Sequence, residues 1–175
     1  MDNVAAGGSI LILGVGNVLL GDEGIGVHVA WRLATLPLPP GVEVVDGGTL
    51  GFGLAGLLEG RKLVVLVDAI AADAPPGSIF RFSPGDAALR WRNPRSAHGE
   101  GIELLLCHTD GLDPRPGIVI LGIVPECTDN FGMALSPTLT SRMDAIVDAV
   151  MKEIARALPA ATLERAGVTS TEQSA

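Results

Sequence analysis

The feature of the sequence that most constrains its fold is a series of short segments that are apolar at nearly every position. Residues 9–14, 63–67 and 118–124 are such segments, and a glycine, an aspartate and a proline mark their ends. A strand with one wet face alternates apolar and polar residues, whereas a strand that is apolar throughout must be covered on both faces. These segments therefore predict the central strands of a parallel sheet that lies between two layers of helices.

Helical spacing separates the apolar segments. Ile25, Val29 and Leu33 recur every four residues, and the prolines that follow them end the predicted helix. Residues 99–108 carry a second helical pattern, and residues 139–158 form a long segment whose apolar positions fall on one helix face. Strands and helices therefore alternate along the chain, as they do in doubly wound sheets.

Shorter features complete the predicted sheet. Residues 42–46 indicate another strand, and residues 52–58 indicate a short helix. Residues 78–82 predict an antiparallel strand at an edge of the sheet because a Pro-Pro-Gly turn leads into them, and residues 84–95 look like a polar loop. We therefore expect a three-layer α/β/α sandwich with a twisted, mostly parallel sheet.

Length and composition favour a single domain over residues 1–158, with a disordered tail over residues 159–175. The 175-residue chain is 47% hydrophobic, which is enough to bury a core. No apolar run approaches the roughly 18 to 20 residues of a membrane helix, and the N-terminus shows no secretory signal pattern. The net charge of −8 comes without the basic cluster of a nucleic-acid-binding protein. We therefore expect a soluble, cytoplasmic protein without membrane insertion or a nucleic-acid partner.

Acidic residues follow three of the predicted strands. Glu23 lies in the loop after the first strand, Asp46 ends the second, and Asp68 ends the third. Ligands of open α/β sheets bind outside the carboxyl ends of the strands, which lie about 4.8 Å apart. His98 lies in a loop directly before a predicted helix. Two carboxylates and an imidazole suit a divalent metal such as zinc or nickel, so this edge is a candidate metal site.

Simpler roles compete for the same residues. Asp22 or Glu23 could cap the helix that begins near them, because carboxylates are favoured at helix N-termini. Asp68 could cap a turn, and His98 could be a structural residue at the start of a helix. On spacing alone the metal site is therefore the minority hypothesis.

A nucleotide-binding function is a weaker alternative. Gly14 and Gly16 follow the first strand as in a dinucleotide-binding fingerprint, and Asp46 could hold a ribose hydroxyl. The third glycine of that fingerprint is replaced by Leu19, and the acidic pair at residues 22–23 would repel a pyrophosphate at the helix N-terminus.

A hydrolase with a cysteine or serine nucleophile is also weakly supported by the sequence. Cys107 and His108 are adjacent, and neighbouring residues on a helix do not face each other. Cys107 follows three leucines and reads as a core thiol, whereas Cys127 lies in a loop without an assignable partner. The chain has no Gly-x-Ser-x-Gly elbow. The two cysteines fit a reducing compartment and cannot build a disulfide framework.

Several motifs resemble the hydrogenase maturation endopeptidases, which process the C-terminus of [NiFe]-hydrogenase large subunits. The likeness spans about residues 10–158. The motifs that carry it are LILGVGNVLLGDEGIG at residues 11–26, DGGT at 46–49, VDAI at 67–70, SAH at 96–98 and GIVPEC at 122–127. Cys127 stands where relatives tend to have serine.

The resemblance implies roles for four residues. Glu23, Asp68 and His98 match the metal-binding trio of the family, and Asp46 matches the aspartate implicated in cleavage. The implied substrate is a nickel-loaded large-subunit precursor, so the nickel is supplied by the precursor and is not permanently bound. We expect an endopeptidase in which the trio docks onto that nickel and Asp46 acts as general base for water. A non-catalytic nickel-binding chaperone that only holds the precursor is the alternative.

Overall fold

The computed structural model describes residues 9–87, 99–129 and 131–158. The strands are β1 (Ile10–Val15), β2 (Val42–Gly48), β3 (Leu63–Ala69), β4 (Ile79–Phe82) and β5 (Gly117–Ile123). The α-helices are α1 (Ile25–Ala34), α2 (Pro84–Ala87), α3 (Gly99–His108) and α4 (Pro137–Ala157). Short 3₁₀ helices occur at Gly21–Gly24, Gly51–Leu57 and Thr109–Gly111.

The strands form one sheet in the order β2-β1-β3-β5-β4. β1 is parallel to β2 and β3, β3 is parallel to β5, and β4 is antiparallel to β5 at the edge. From β1 the chain first crosses to β2 on one side and then returns to β3 on the other. The strand order therefore reverses at β1, and this is the point where open α/β sheets bind their ligands.

Apolar side chains cover both faces of the sheet, as the sequence predicts. Ile10 and Ile12 of β1 pack with α1 and α4, whereas Leu11 and Leu13 pack on the other face with the 3₁₀ helix Gly51–Leu57 and α3. Successive strand residues point to opposite faces, so a strand between two helical layers buries all of them. The three-layer α/β/α sandwich with one antiparallel edge strand is confirmed.

Details differ from the sequence prediction. Residues 84–87, placed in a polar loop, form the one-turn helix α2, and residues 88–98 and 159–175 lie outside the described residues. The assignment of Cys107 to the core was wrong, because its thiol is exposed. α3 buries Ile102 and Leu105, and a residue two positions after Leu105 lies about 200° around the helix. No helix in the described ranges is long and apolar enough to cross a membrane.

Candidate active site

Glycines set the corner between β1 and β3. A Cβ on Gly14 would lie 2.0 Å from the Gly26 carbonyl oxygen, and a Cβ on Gly26 would lie 2.1 Å from the Val67 carbonyl oxygen. Only glycine permits backbones to approach this closely. The start of α1 therefore lies directly against the carboxyl ends of β1 and β3. The glycine pattern thus has a packing role at this corner.

Glu23 lies in the 3₁₀ helix that precedes α1. Its backbone contacts Gly16, where φ is +136° and a Cβ would lie 2.0 Å from the Glu23 carbonyl oxygen. This 3₁₀ helix also contacts β3, and Glu23 is partly buried. The structure therefore places Glu23 at the corner formed by the ends of β1 and β3, where the sequence places it.

Asp68 lies near the end of β3 and is only 4% exposed. Its Oδ1 accepts a hydrogen bond from the backbone N–H of Ala69 at 2.8 Å. Val64 and Leu66 of the same strand pack on the α3 side of the sheet, so strand alternation places Asp68 on that side as well. Because β1 and β3 are neighbours, Asp68 and Glu23 belong to the same corner, which we call the central corner.

Asp22 ties a distant loop to the central corner. The residue is 1% exposed, and its carboxylate accepts hydrogen bonds from the backbone N–H groups of Glu126 at 2.9 Å, Cys127 at 3.4 Å and Ser136 at 2.7 Å. These bonds replace the capping role considered from the sequence, and α1 begins after Gly24 without a side-chain cap. One buried carboxylate therefore fixes both ends of the loop that joins β5 to α4.

Asp46 lies at the edge of the sheet and is exposed. Its Oδ2 accepts a hydrogen bond from the indole Nε1–H of Trp31 at 2.8 Å, and its Oδ1 accepts one from the backbone N–H of Gly48 at 3.0 Å. Donors from α1 and from β2 therefore hold the two carboxylate oxygens. We call this arrangement the edge corner.

The sheet register separates the two corners. Gly14 of β1 is paired with Asp46 on one side and with Val67 on the other. Residues that are paired across a sheet share a face, and Val67 packs with α1 and α4. Asp46 therefore lies on the α1 face, whereas Asp68 follows Val67 on the opposite face. β1 stands between them, so β2 lies two strand spacings, or about 10 Å, from β3.

His28 connects the edge corner with the loop that follows β5. Its ring centroid lies 5.0 Å from that of Trp31 at an interplanar angle of 65°. Burial lowers the pKa of His28 below the usual 6.5, although a hydrogen bond with the Met133 backbone and the charge of Asp22 act in the opposite direction. The Nε2 atom has no hydrogen-bond partner within the described part of the chain. His28 therefore favours the neutral imidazole.

The predicted metal ligands are described in part. Glu23 and Asp68 supply two carboxylates at the central corner, whereas His98 lies outside the described residues. Within the ranges that the structure describes, no group of three or more His, Cys, Asp or Glu side chains is placed to hold a metal ion. Carboxylate oxygens are ligands that divalent cations accept.

Comparison with known proteins decides the family. The family described as hydrogenase maturation protease matches residues 27–153 of this chain. The hydrogenase 2 maturation protease of Escherichia coli K12 is 32% identical over 146 residues, which cover 81% of this chain and 88% of that protein. The chain belongs to the hydrogenase maturation protease family. The hydrogenase expression/formation protein HupD of Rhodobacter capsulatus is 29% identical, over 83% of this chain and 70% of its own.

Solved structures of maturation proteases have the same fold. The hydrogenase maturating endopeptidase HybD of E. coli aligns with a TM-score of 0.75 at 28% identity, over 85% of this chain and 93% of its own. The [NiFe] hydrogenase maturation protease HybD of Thermococcus kodakarensis aligns with a TM-score of 0.67 at 32% identity, over 82% and 97%. The expected enzyme class is confirmed: this maturation protease is an endopeptidase of the family that processes the C-terminus of hydrogenase large subunits.

Sequence reasoning about the maturation protease missed two interactions. The amide partners of Asp22 lie 104 to 114 residues away, so no local pattern could reveal them. The bond between Trp31 and Asp46 left a weak signal, because a tryptophan within an amphipathic helix is an unusual choice for a water-facing position. Trp31 is 41% exposed.

Proposed function

We propose that this maturation protease removes the C-terminal extension from a nickel-loaded [NiFe]-hydrogenase large-subunit precursor. In this proposal Glu23, Asp68 and His98 contact the nickel that the precursor carries. The observation that supports it best is the central corner, where the 3₁₀ helix that carries Glu23 contacts the strand that carries Asp68, at the strand-order reversal of the sheet. Carboxylate and imidazole are suitable ligands for nickel. The metal belongs to the substrate, and the protease supplies additional ligands.

The nickel gives the protease a way to select loaded precursor. A precursor without nickel lacks the ion to which the central corner binds, so its cleavage site is not held near Asp46. Holding a scissile bond in a reactive geometry can supply about 7 to 11 kcal/mol of a reaction barrier. Whether the precursor carries nickel therefore determines whether its scissile bond is held in place, before any bond is broken.

Asp46 is the proposed general base. It takes a proton from water, the water oxygen attacks the carbonyl carbon of the scissile peptide, and a proton passes to the leaving amine as the C–N bond breaks. Each carboxylate oxygen can accept two hydrogen bonds, so the single bonds from Trp31 and Gly48 leave room for water. The exposed position of Asp46 gives that water access.

Exposed apolar side chains beside Glu23 suit contact with the precursor. Leu19, Phe131 and Met133 are 58%, 91% and 56% exposed. The backbone N–H of Gly132 donates to the Leu19 carbonyl at 3.0 Å, so the two segments that carry these side chains are joined. A precursor cut at this end of the sheet would cover them.

Both cysteines are free, and we propose the cytoplasm as the place of reaction.

A cleavage assay tests the proposal. Wild-type, Glu23→Gln and His98→Ala proteins are incubated with nickel-loaded precursor and with the same precursor prepared without nickel, and the released C-terminal peptide is measured by mass spectrometry. We expect release only from the loaded precursor and only by the wild-type protein. Wild-type rates for both variants would contradict the metal-contacting role. Absence of peptide release by the wild-type protein would favour the chaperone alternative for this substrate.

A further inference from the structure

Trp31 makes a contact that packing does not require. It lies in the last half of α1, on the side that faces away from the core, and 41% of its surface remains in water. Its indole N–H donates to Asp46 at 2.8 Å. A hydrogen bond to an ionised carboxylate is shorter and about twice as strong as one between neutral groups. This bond joins a helix to the last part of an edge strand.

The second donor to Asp46 comes from its own strand. The backbone N–H of Gly48, two residues further along, donates to Oδ1 at 3.0 Å, and Gly48 has φ of +47°. A bond to one oxygen still allows the carboxylate to turn about that oxygen. The bond from Trp31 to the other oxygen removes this freedom. Trp31 therefore fixes the orientation of the Asp46 carboxylate.

The indole is itself held in place by a neighbouring ring. The imidazole of His28 contacts it edge to face at 5.0 Å, and His28 is hydrogen-bonded to the Met133 backbone. Met133 belongs to the loop whose two ends are tied to Asp22. The contacts thus run from Asp46 through Trp31 and His28 to that loop.

From this geometry we propose that Trp31 is a positioning residue for cleavage: it holds the Asp46 carboxylate in the orientation that accepts a proton from water. The inference rests on the proposed role of Asp46 as general base. A general base must lie within hydrogen-bond reach of the proton that it takes. A carboxylate that rotates freely spends less time in that orientation, so loss of the indole N–H lowers kcat and leaves precursor binding intact.

The test is a double-mutant cycle with nickel-loaded precursor. Trp31→Phe keeps an aromatic ring beside His28 and removes the N–H donor. We expect it to lower kcat about 10-fold, less than loss of the base itself at about 100-fold or more, with KM changed less than about twofold. In the Asp46→Asn background, Trp31→Phe is expected to have no further effect on kcat, because two residues that act as a unit are not additive.

Arg32→Gln is the matched control. Arg32 is the next residue on α1, its side chain is 48% exposed, and it contacts Asp144 at 3.8 Å. We expect its kcat to equal that of the wild type. Wild-type kcat for Trp31→Phe, a loss that adds fully to that of Asp46→Asn, or a rise in KM alone would each overturn the inference. The last result would assign Trp31 to precursor binding.

An NMR measurement separates failure of this inference from failure of the proposed function. The indole ¹H–¹⁵N resonance of Trp31 is followed in the wild-type and Asp46→Asn proteins without any substrate. We expect the Nε1–H resonance to shift when the charged acceptor is lost, and an unchanged resonance would overturn the inference even if Trp31→Phe did not fold. If Asp46→Asn cleaves at the wild-type rate, the general-base role fails instead, whatever the resonance shows.

Discussion

The central and edge corners lie at the same end of one sheet but are built differently. At the central corner, backbones in van der Waals contact and a nearly fully buried carboxylate place Glu23 and Asp68. At the edge corner, two hydrogen bonds from neighbouring elements hold an exposed carboxylate. Packing gives a fixed geometry, which suits recognition of a metal with defined ligand positions. Hydrogen bonds to an exposed group leave access for water, which suits proton transfer.

The largest expected effect separates the two corners by kinetics. Asp46→Asn removes the proposed base, so we expect kcat to fall by about 100-fold or more while KM for nickel-loaded precursor stays the same. Asp68→Asn removes a proposed nickel contact, so we expect KM to rise and the preference for loaded over nickel-free precursor to disappear. Initial rates over a range of precursor concentrations measure both constants. If the two variants change the same constant by the same factor, the proposed division between the corners is wrong.

The next effect concerns the stability of the central corner. Asp22→Ala leaves three partly buried backbone N–H donors of the β5–α4 loop without their acceptor, and we count about 1 kcal/mol for each, the low end of the cost of an unsatisfied donor. We expect the free energy of unfolding in urea to fall by about 3 kcal/mol. Asp144→Ala is the control, since that side chain is 89% exposed and surface substitutions usually stay within about 0.5 kcal/mol. Equal losses would show that the Asp22 bonds contribute nothing to stability.

Close packing at the central corner predicts a third effect. Gly26→Ala would place a Cβ 2.1 Å from the Val67 carbonyl oxygen and 2.4 Å from the Val15 carbonyl oxygen. The backbones must separate, and we expect a loss of about 2 to 3 kcal/mol, the upper part of the usual range for overpacking. At Gly56 a Cβ meets nothing within 4 Å, so Gly56→Ala serves as the control in the same denaturation experiment. A neutral Gly26→Ala would contradict the tight approach of α1 to the strands.

The smallest effect belongs to the edge corner and depends on pH. Burial lowers the pKa of His28 from 6.5, so just below pH 6.5 the unfolded chain binds more protons than the folded chain. The contribution of His28 to stability is therefore fully present above pH 6.5 and is lost as the pH falls through the lowered pKa. We expect His28→Gln to flatten the pH dependence of unfolding free energy between about pH 5 and pH 7. An unchanged slope would show that other groups determine it.

Most of the fold could be predicted from the sequence because burial on both faces leaves a local signature. The apolar strands and the spacing of Ile25, Val29 and Leu33 were interpreted correctly. The prediction that Cys107 lies in the core is wrong because apolar neighbours in the sequence do not by themselves bury a residue. Leu104, three residues earlier on the same helix face, is itself 58% exposed.

The candidate site could be predicted only in part. Strand order and connection rules bring Glu23 and Asp68 to one edge, and both follow from the alternation of elements. The face on which Asp46 lies depends on register, where a shift of one residue reverses the side. The partners of Asp22 depend on contacts across more than a hundred positions of the chain. Long-range contacts of this kind leave no periodic signal in the sequence.

The way in which Asp22 holds the β5–α4 loop has a consequence for how such proteases can diverge. One carboxylate fixes the amides of Glu126 and Ser136, and between them Gly132 and Met133 are joined to Leu19 and His28. A change in the loop that spares these contacts leaves its attachment points in place. Such a change would alter the exposed surface around Phe131 and keep the carboxylates of the central corner. The exposed part of the loop is thus a position where the sequence can vary, provided that Asp22 is kept.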